Sequence, residues 1–397
     1  MSCPNCRTAG TLTPLSRVDD VPVHSVLLVS SEDEAASFPV GQIDLQACSY
    51  CGFVTNVAFE PEVMAYSTRY EETQGYSPTF SRFHRRLAEE LIERYDLREK
   101  HVLEIGCGKG DFVTLLKQLG NNTGIGFDPS YVPERNPYDG EEGLTFVQDL
   151  YDERYTNVQA DFVCCKMTLE HIHEPAAFME TVRRAIGDRT DTVVFFQIPD
   201  TERILRDIAF WDVYYEHCSY FSKASLDYLF RATGFHVLNT WTDYDDQYLM
   251  IEALPNGVVH APCPPDLEHF GFELHRFRRL LPERLKAWKE HLSTWDAHGK
   301  RVVLWGGGSK AVAFLTTLDV TTEVAAAVDI NPHKAGHFLP KTAHPVVSPD
   351  ELRELQPDIV LIMNPIYRAE ITEMLHGLGL HPEVLDVETA LSVLQPA

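Results

Sequence analysis

Apolar residues first recur at helical spacing in residues 80–95, where Phe83, Leu87, Leu91 and Ile92 fall on one face. The period then changes. Short apolar runs follow at 101–105, 124–128 and 160–165, each reading as a strand, the first running into glycine and the second ending in an acid. An amphipathic helix over 112–119 separates the first two, and another over 176–185 follows the third. Strands alternating with helices predict an α/β fold built on a doubly wound parallel sheet. Upstream, 23–29 and 40–46 read as strands. Downstream, a Leu-, Arg- and Glu-rich stretch over 266–297 predicts a connecting helix. A second alternating region then begins, with strands at 301–305, 324–329 and 359–363. Three parts are expected: 1–66, 67–256 and 257–397.

Composition narrows the class of partner. The chain has 397 residues, 44% of them hydrophobic, enough for two or three domains with substantial cores. Its formal charge of −25 repels phosphate backbones, and no basic patch offsets it, so nucleic acid is not an expected partner. No apolar run approaches the ~18 residues of a membrane span. Met1-Ser2-Cys3-Pro4 lacks the basic and apolar parts of a signal peptide. A soluble, cytoplasmic protein is expected, its oligomeric state left open.

Four of the nine cysteines form two CxxC pairs, Cys3/Cys6 and Cys48/Cys51. Two such knuckles supply the tetrahedral sulfur cage that Zn²⁺ favours, and four sulfurs leave no position for substrate, so the ion would be structural. Four unligated thiols or a redox pair are the alternatives. The other five cysteines, at 107, 164, 165, 218 and 263, read as packing residues.

The run Glu104-Ile-Gly106-Cys-Gly108-Lys-Gly110 closes the first strand of the central region, and Asp128 closes the second. Glycines admit a ligand against the turn, and an acid ~20 residues on is placed to accept from ribose hydroxyls. A dinucleotide site would use the same parts. The wording of the turn, however, resembles the first motif of class I methyltransferases that use S-adenosylmethionine. That resemblance implies that Glu104, Gly106, Gly108 and Gly110 surround the methionine part, that Asp128 binds the ribose and that Asp149 lies near the adenine. A later turn, Gly306-Gly-Gly308-Ser309-Lys310-Ala311 with Asp329, meets the dinucleotide pattern and leaves an oxidoreductase open.

Two clusters carry candidate chemistry. Thr168–Pro175 follows the strand at 160–165, where a doubly wound sheet opens its ligand crevice, and places His171 there. Residues 210–222 are crowded with aromatic and imidazole rings around Glu216 and His217. A histidine beside tyrosine hydroxyls is equipped to remove a proton and stabilise an oxyanion.

Together the paired CxxC module, the Glu104–Gly110 turn, the Tyr-x-Glu-His stretch and the C-terminal third resemble the three-domain sugar C-methyltransferases, which act on nucleotide-linked deoxy-keto sugars. The resemblance implies an N-terminal zinc-binding module, a class I methyltransferase (Rossmann-like) domain and a Rossmann-like C-terminal domain that helps hold the substrate. It makes His217 the base, with Tyr76 and Tyr214 orienting the sugar or its enolate oxygen and Glu216 and His171 positioning the acceptor. Ser309, Lys310 and Asn364 would contact the nucleotide. Tyr215 stands where those enzymes carry a second histidine, beside the acceptor. An O-methyltransferase of a small natural product and a non-catalytic donor-binding protein are the competing readings.

Overall fold

The computed structural model describes residues 1–64, 66–255 and 263–394. The expected boundary at 256/257 therefore lies outside the described residues. Among the described residues there are three sheets. The central one has seven strands, ordered Leu144–Val147, Thr123–Phe127, His101–Ile105, Phe162–Lys166, Val193–Pro199, Tyr248–Pro255 and Phe235–Asp243. The first five are parallel and the last two antiparallel. Near-continuous apolar strands such as Phe162–Lys166, buried at every position, reflect helices covering both faces. The helix read at 80–95 forms as Pro78–Tyr95, capped by Ser77 and buried through Phe80, Phe83, Leu87, Leu91 and Ile92.

The C-terminal sheet is parallel throughout, ordered Val346–Val347, Ala326–Val328, Val302–Trp305, Ile359–Ile362 and Glu383–Asp386. The helix Glu268–Ala297 precedes it, packing Trp288 and Leu292 against Val302, Leu304 and Phe314. The N-terminal sheet is antiparallel: Leu12–Pro22, Val40–Cys48, Val54–Asn56 and, from far along the chain, Ser219–Tyr220.

One expected strand is absent. Residues 23–29 make only isolated bridges, Leu27 to Tyr70 and Val29 to Phe338, and Leu12–Pro22 takes the place beside Val40–Cys48. The apolar run is buried because it passes between domains as a strap: Val23, Ser25, Val26 and Val29 are nearly inaccessible. Cys107, Cys164, Cys165 and Cys218 are buried as packing residues should be, whereas Cys263 is exposed.

Glu71 ties the strap and two domains together. Its backbone N–H donates to the Val26 carbonyl, while its carboxylate accepts from Arg135 at 2.5 Å and from Asn331 at 2.8 Å. Burial alone would raise this carboxyl, but the Arg135 and Asn331 hydrogen bonds bring it down to about 2. A depressed folded pKa contributes stability above the unfolded value and loses it as pH falls toward 2. Glu71→Gln is therefore expected to lower stability by about 3 kcal/mol at pH 7. Thermal melts across pH should also show a shallower acid-side decline in this variant.

Candidate active site

A cavity of about 480 Å³ lies where the C-terminal ends of the central strands face the C-terminal domain. Strand ends at a doubly wound sheet are where such a fold admits ligands. Glu104, Gly106, Gly108, Asp128 and Asp149 line one part of it. Gly106 and Gly108 have φ of +70° and +54°. A Cβ at Gly106 would lie 1.9 Å from the Thr168 hydroxyl oxygen, so this backbone approach requires glycine. Asp128 accepts from the Gly108 N–H at 2.9 Å and from the Ser130 N–H at 2.7 Å, which fixes the turn. Glu104 accepts from the Val113 N–H at 2.9 Å in the first turn of the helix Asp111–Gly120, and its burial raises its carboxyl to about 7. Asp149 pairs with Arg154 and accepts from the Tyr155 hydroxyl at 2.7 Å.

Gly110 is a correction: it does not line the cavity. Its φ of +86° starts the helix, and a Cβ there would meet the Phe146 ring at 2.5 Å, so its glycine serves packing.

Tyr76, His171, Tyr214 and His217 form a second part of the wall. The His217 ring lies 4.1 Å from that of Tyr214 and 4.8 Å, perpendicular, from that of His171. His171 Nδ1 is 2.9 Å from the Tyr66 hydroxyl. Burial pushes His171 down to about 4 and His217 well below the ordinary histidine value, so both rings are neutral near pH 7. A neutral imidazole on a cavity wall is able to accept a proton.

Two neighbours in the same stretch behave differently from expectation. Tyr215 points away from the cavity into the N-terminal sheet, where its hydroxyl accepts from the Glu60 N–H at 3.0 Å. Gly41 makes room for it, since a Cβ there would lie 2.4 Å from the ring. Tyr215 is therefore not a substrate contact. Glu216 is also behind the wall rather than in it. It is fully buried and accepts from the Ser25 N–H at 2.6 Å and the Ser25 hydroxyl at 2.9 Å. Its role is to hold the strap against the His217 segment.

The C-terminal domain contributes Ser309, Lys310 and Asn364. The Ser309 and Ser25 hydroxyls are 2.8 Å apart, Lys310 pairs with Asp212, and Asn364 exchanges amide hydrogen bonds with Gln247 at 2.8 and 3.0 Å. Asp329 accepts from the Gly307 N–H at 3.0 Å, repeating the Asp128–Gly108 arrangement.

Away from the cavity, the four paired cysteines converge. Cys3 and Cys51 sulfurs are 3.8 Å apart, and Cys6 and Cys48 sulfurs 3.7 Å. Tetrahedral Zn–S bonds of ~2.3 Å require sulfur separations of ~3.8 Å, so the cage fits that ion. The Thr11 hydroxyl lies 3.1 Å from the Cys48 sulfur and Asn5 donates to the Cys51 sulfur at 3.5 Å, the outer partners such a site uses.

Tyr66, Glu170 and Lys166, all on the cavity wall, are not among the residues singled out above. Lys166 was detectable as a cation closing an otherwise apolar strand. Glu170 adjoins His171, but nothing local marks it as buried.

Residues 79–240 match the family described as methyltransferase domain, and residues 273–379 the family described as C-methyltransferase C-terminal domain. The chain is 26% identical over 364 residues to the C-methyltransferase NovU of Streptomyces niveus, covering 87% of this chain and 86% of that protein. It is similar to the magnesium protoporphyrin IX methyltransferase of Synechocystis PCC 6803 with bound S-adenosylhomocysteine, at 19% identity, over 44% of this chain and 83% of that one, with a TM-score of 0.35. A Burkholderia thailandensis 1,6-didemethyltoxoflavin N1-methyltransferase gives 16%, 44%, 78% and 0.36. The chain thus carries a methyltransferase domain followed by a C-methyltransferase C-terminal domain, and along most of its length it is similar to a C-methyltransferase.

Proposed function

We propose that this protein methylates a carbon next to the keto group of a nucleotide-linked deoxysugar or a related natural-product intermediate. The observation that carries the proposal is one cavity lined by the glycine turn, by neutral His217 with Tyr214 and Tyr76, and by Ser309 and Lys310. Bound S-adenosylmethionine supplies a sulfonium methyl group. Glu104, Gly106, Gly108, Asp128 and Asp149 hold it in this reading, the tight approach at Gly106 and the acid at Asp128 fitting its methionine and ribose parts. His217 takes the proton from the carbon beside the carbonyl. Tyr214 and Tyr76 donate to the enolate oxygen, and His171 buttresses the His217 ring. Ser309 and Lys310 receive the acceptor's phosphates, the half-buried Lys310 ammonium being paired with Asp212. Asn364 lies at the same end of the cavity. The Cys3, Cys6, Cys48 and Cys51 cage holds a structural zinc ion.

Among the described residues, no helix is long and apolar enough to cross a membrane, in keeping with a small-molecule acceptor met in solution.

Asp128→Asn should weaken S-adenosylhomocysteine binding about 10–100-fold by calorimetry, since charged hydrogen bonds contribute ~1.5–3 kcal/mol each. The function is tested with a thymidine-diphospho-keto-deoxysugar in D₂O, with and without donor, read by mass spectrometry. Deuterium entering at the carbon that gains the methyl is the expected result. Methyl transfer to a hydroxyl, without exchange at carbon, would replace the proposal with O-methylation.

A further inference from the structure

Glu170 is a buried acid of this cavity that the reaction above leaves unused. It sits in the short turn Leu169–His171, directly after the strand Phe162–Lys166, and is only 2% exposed. Neither carboxyl oxygen has a hydrogen-bond partner. A buried carboxyl left so is costly unless another group completes it. Its nearest candidate is His217, whose Nε2 lies 3.9 Å from Glu170 Oε1. That distance exceeds a hydrogen bond, yet a small rotation of either side chain closes it, and such contacts commonly tighten when substrate binds.

We propose that Glu170 is the positioning residue of His217: it fixes the proton on Nε2, leaves Nδ1 free to take the acceptor's proton, and balances the imidazolium that results. This rests on the reading of His217 as the base.

The proton count supports the arrangement. With Glu170 ionised and His217 neutral, the pair carries one negative charge. The Nδ1 lone pair then takes the proton from carbon, and the C–H electron pair moves into the enolate. The pair ends with no net charge, as burial favours. His171 and Tyr214 flank the imidazole without offering it a counter-charge, since His171 is itself neutral and the burial of Tyr214 keeps its phenol protonated.

The other titratable groups around the pair leave Glu170 as its acid. Tyr66, Tyr248, Cys165 and Cys218 feel the Glu170 charge and are all held protonated by burial, and Lys310 is the cation that acts on His217. Burial raises the Glu170 carboxyl to about 8. The competent, ionised form therefore grows as pH rises through that value.

The deciding measurement is ¹⁵N-histidine NMR on the full-length protein without acceptor, with His217 identified by its loss in His217→Asn. The wild-type ring should carry its proton on Nε2 and respond to pH with a midpoint near 8. In Glu170→Gln that response should vanish. Turnover of the thymidine-diphospho-keto-deoxysugar should fall about 10–100-fold, with S-adenosylhomocysteine affinity unchanged. Unaltered His217 resonances and pH response in Glu170→Gln overturn the proposal. So does a divalent ion bound beyond the cysteine cage and lost in Glu170→Gln, because Glu170, His171 and His217 bring donor atoms within 4.8 Å of one another. If Glu170→Gln fails to fold, the wild-type His217 titration decides, and a response without the midpoint near 8 overturns it. Turnover retained in His217→Asn would instead remove the base reading itself.

Discussion

The His217→Asn protein is expected to bind S-adenosylhomocysteine as tightly as the unsubstituted chain and to lose both methyl transfer and donor-independent proton exchange, each by about 10²–10⁴-fold. Asparagine is smaller than the imidazole but keeps a polar amide atom near the place of Nδ1, a modest change to the wall beside Tyr214. What it lacks is a lone pair basic enough to take a proton from carbon. Calorimetry with S-adenosylhomocysteine and deuterium wash-in separate the two effects. Exchange that continues at the wild-type rate would place the base elsewhere on the cavity wall, with His171 the next nitrogen to test.

The second large effect is at the other end of the molecule. Cys48→Ser should remove close to one zinc ion per chain and lower the unfolding temperature by about 10–20 °C, several kcal/mol in a domain this small. Cys48 closes the strand Val40–Cys48, and its sulfur also meets the Thr11 hydroxyl, so no neighbouring side chain restores the fourth ligand. Metal analysis and a melting curve on the same sample check both halves. Full stability in the wild-type protein stripped of metal would show that the cage contributes nothing to the fold.

Part of the central sheet was legible because 101–105 runs into a glycine turn and 124–128 ends in an acid; the strands Leu144–Val147, Val193–Pro199, Phe235–Asp243 and Tyr248–Pro255 were not read from the sequence. Residues 23–29 misled because burial, not pairing, makes that stretch apolar; continuous hydrophobicity cannot distinguish a strand from a strap held between domains. At the site, the turn at Gly106 and Gly108 and the places of Asp128 and His171 on the cavity wall were readable, since a glycine turn or a strand end sets each of them, while His217 was reached through the ring-rich stretch and the family resemblance. The direction of a side chain within the aromatic stretch was not. Tyr214, Tyr215, Glu216 and His217 are consecutive, yet only the first and last reach the cavity. Tyr215 and Glu216 are claimed by Gly41, Glu60 and Ser25, partners more than 150 residues away. Glu170 was hidden for a related reason: its isolation arises from groups that meet only in three dimensions.

The pairing of Ser219–Tyr220 with Val54–Asn56 sets a limit on dissecting this chain. A fragment cut at 67 and 256 would carry the entire seven-stranded sheet and every residue of the glycine turn, and should still recognise the donor. It would nevertheless lose the strand that Ser219–Tyr220 extends and the Ser25 partner of Glu216, leaving the loop between Phe210 and Phe221 without its outer wall. Donor recognition is therefore expected to survive this cut and methyl transfer is not. The glycine turn can travel alone, whereas the loop bearing His217 travels only with the cysteine-bearing sheet.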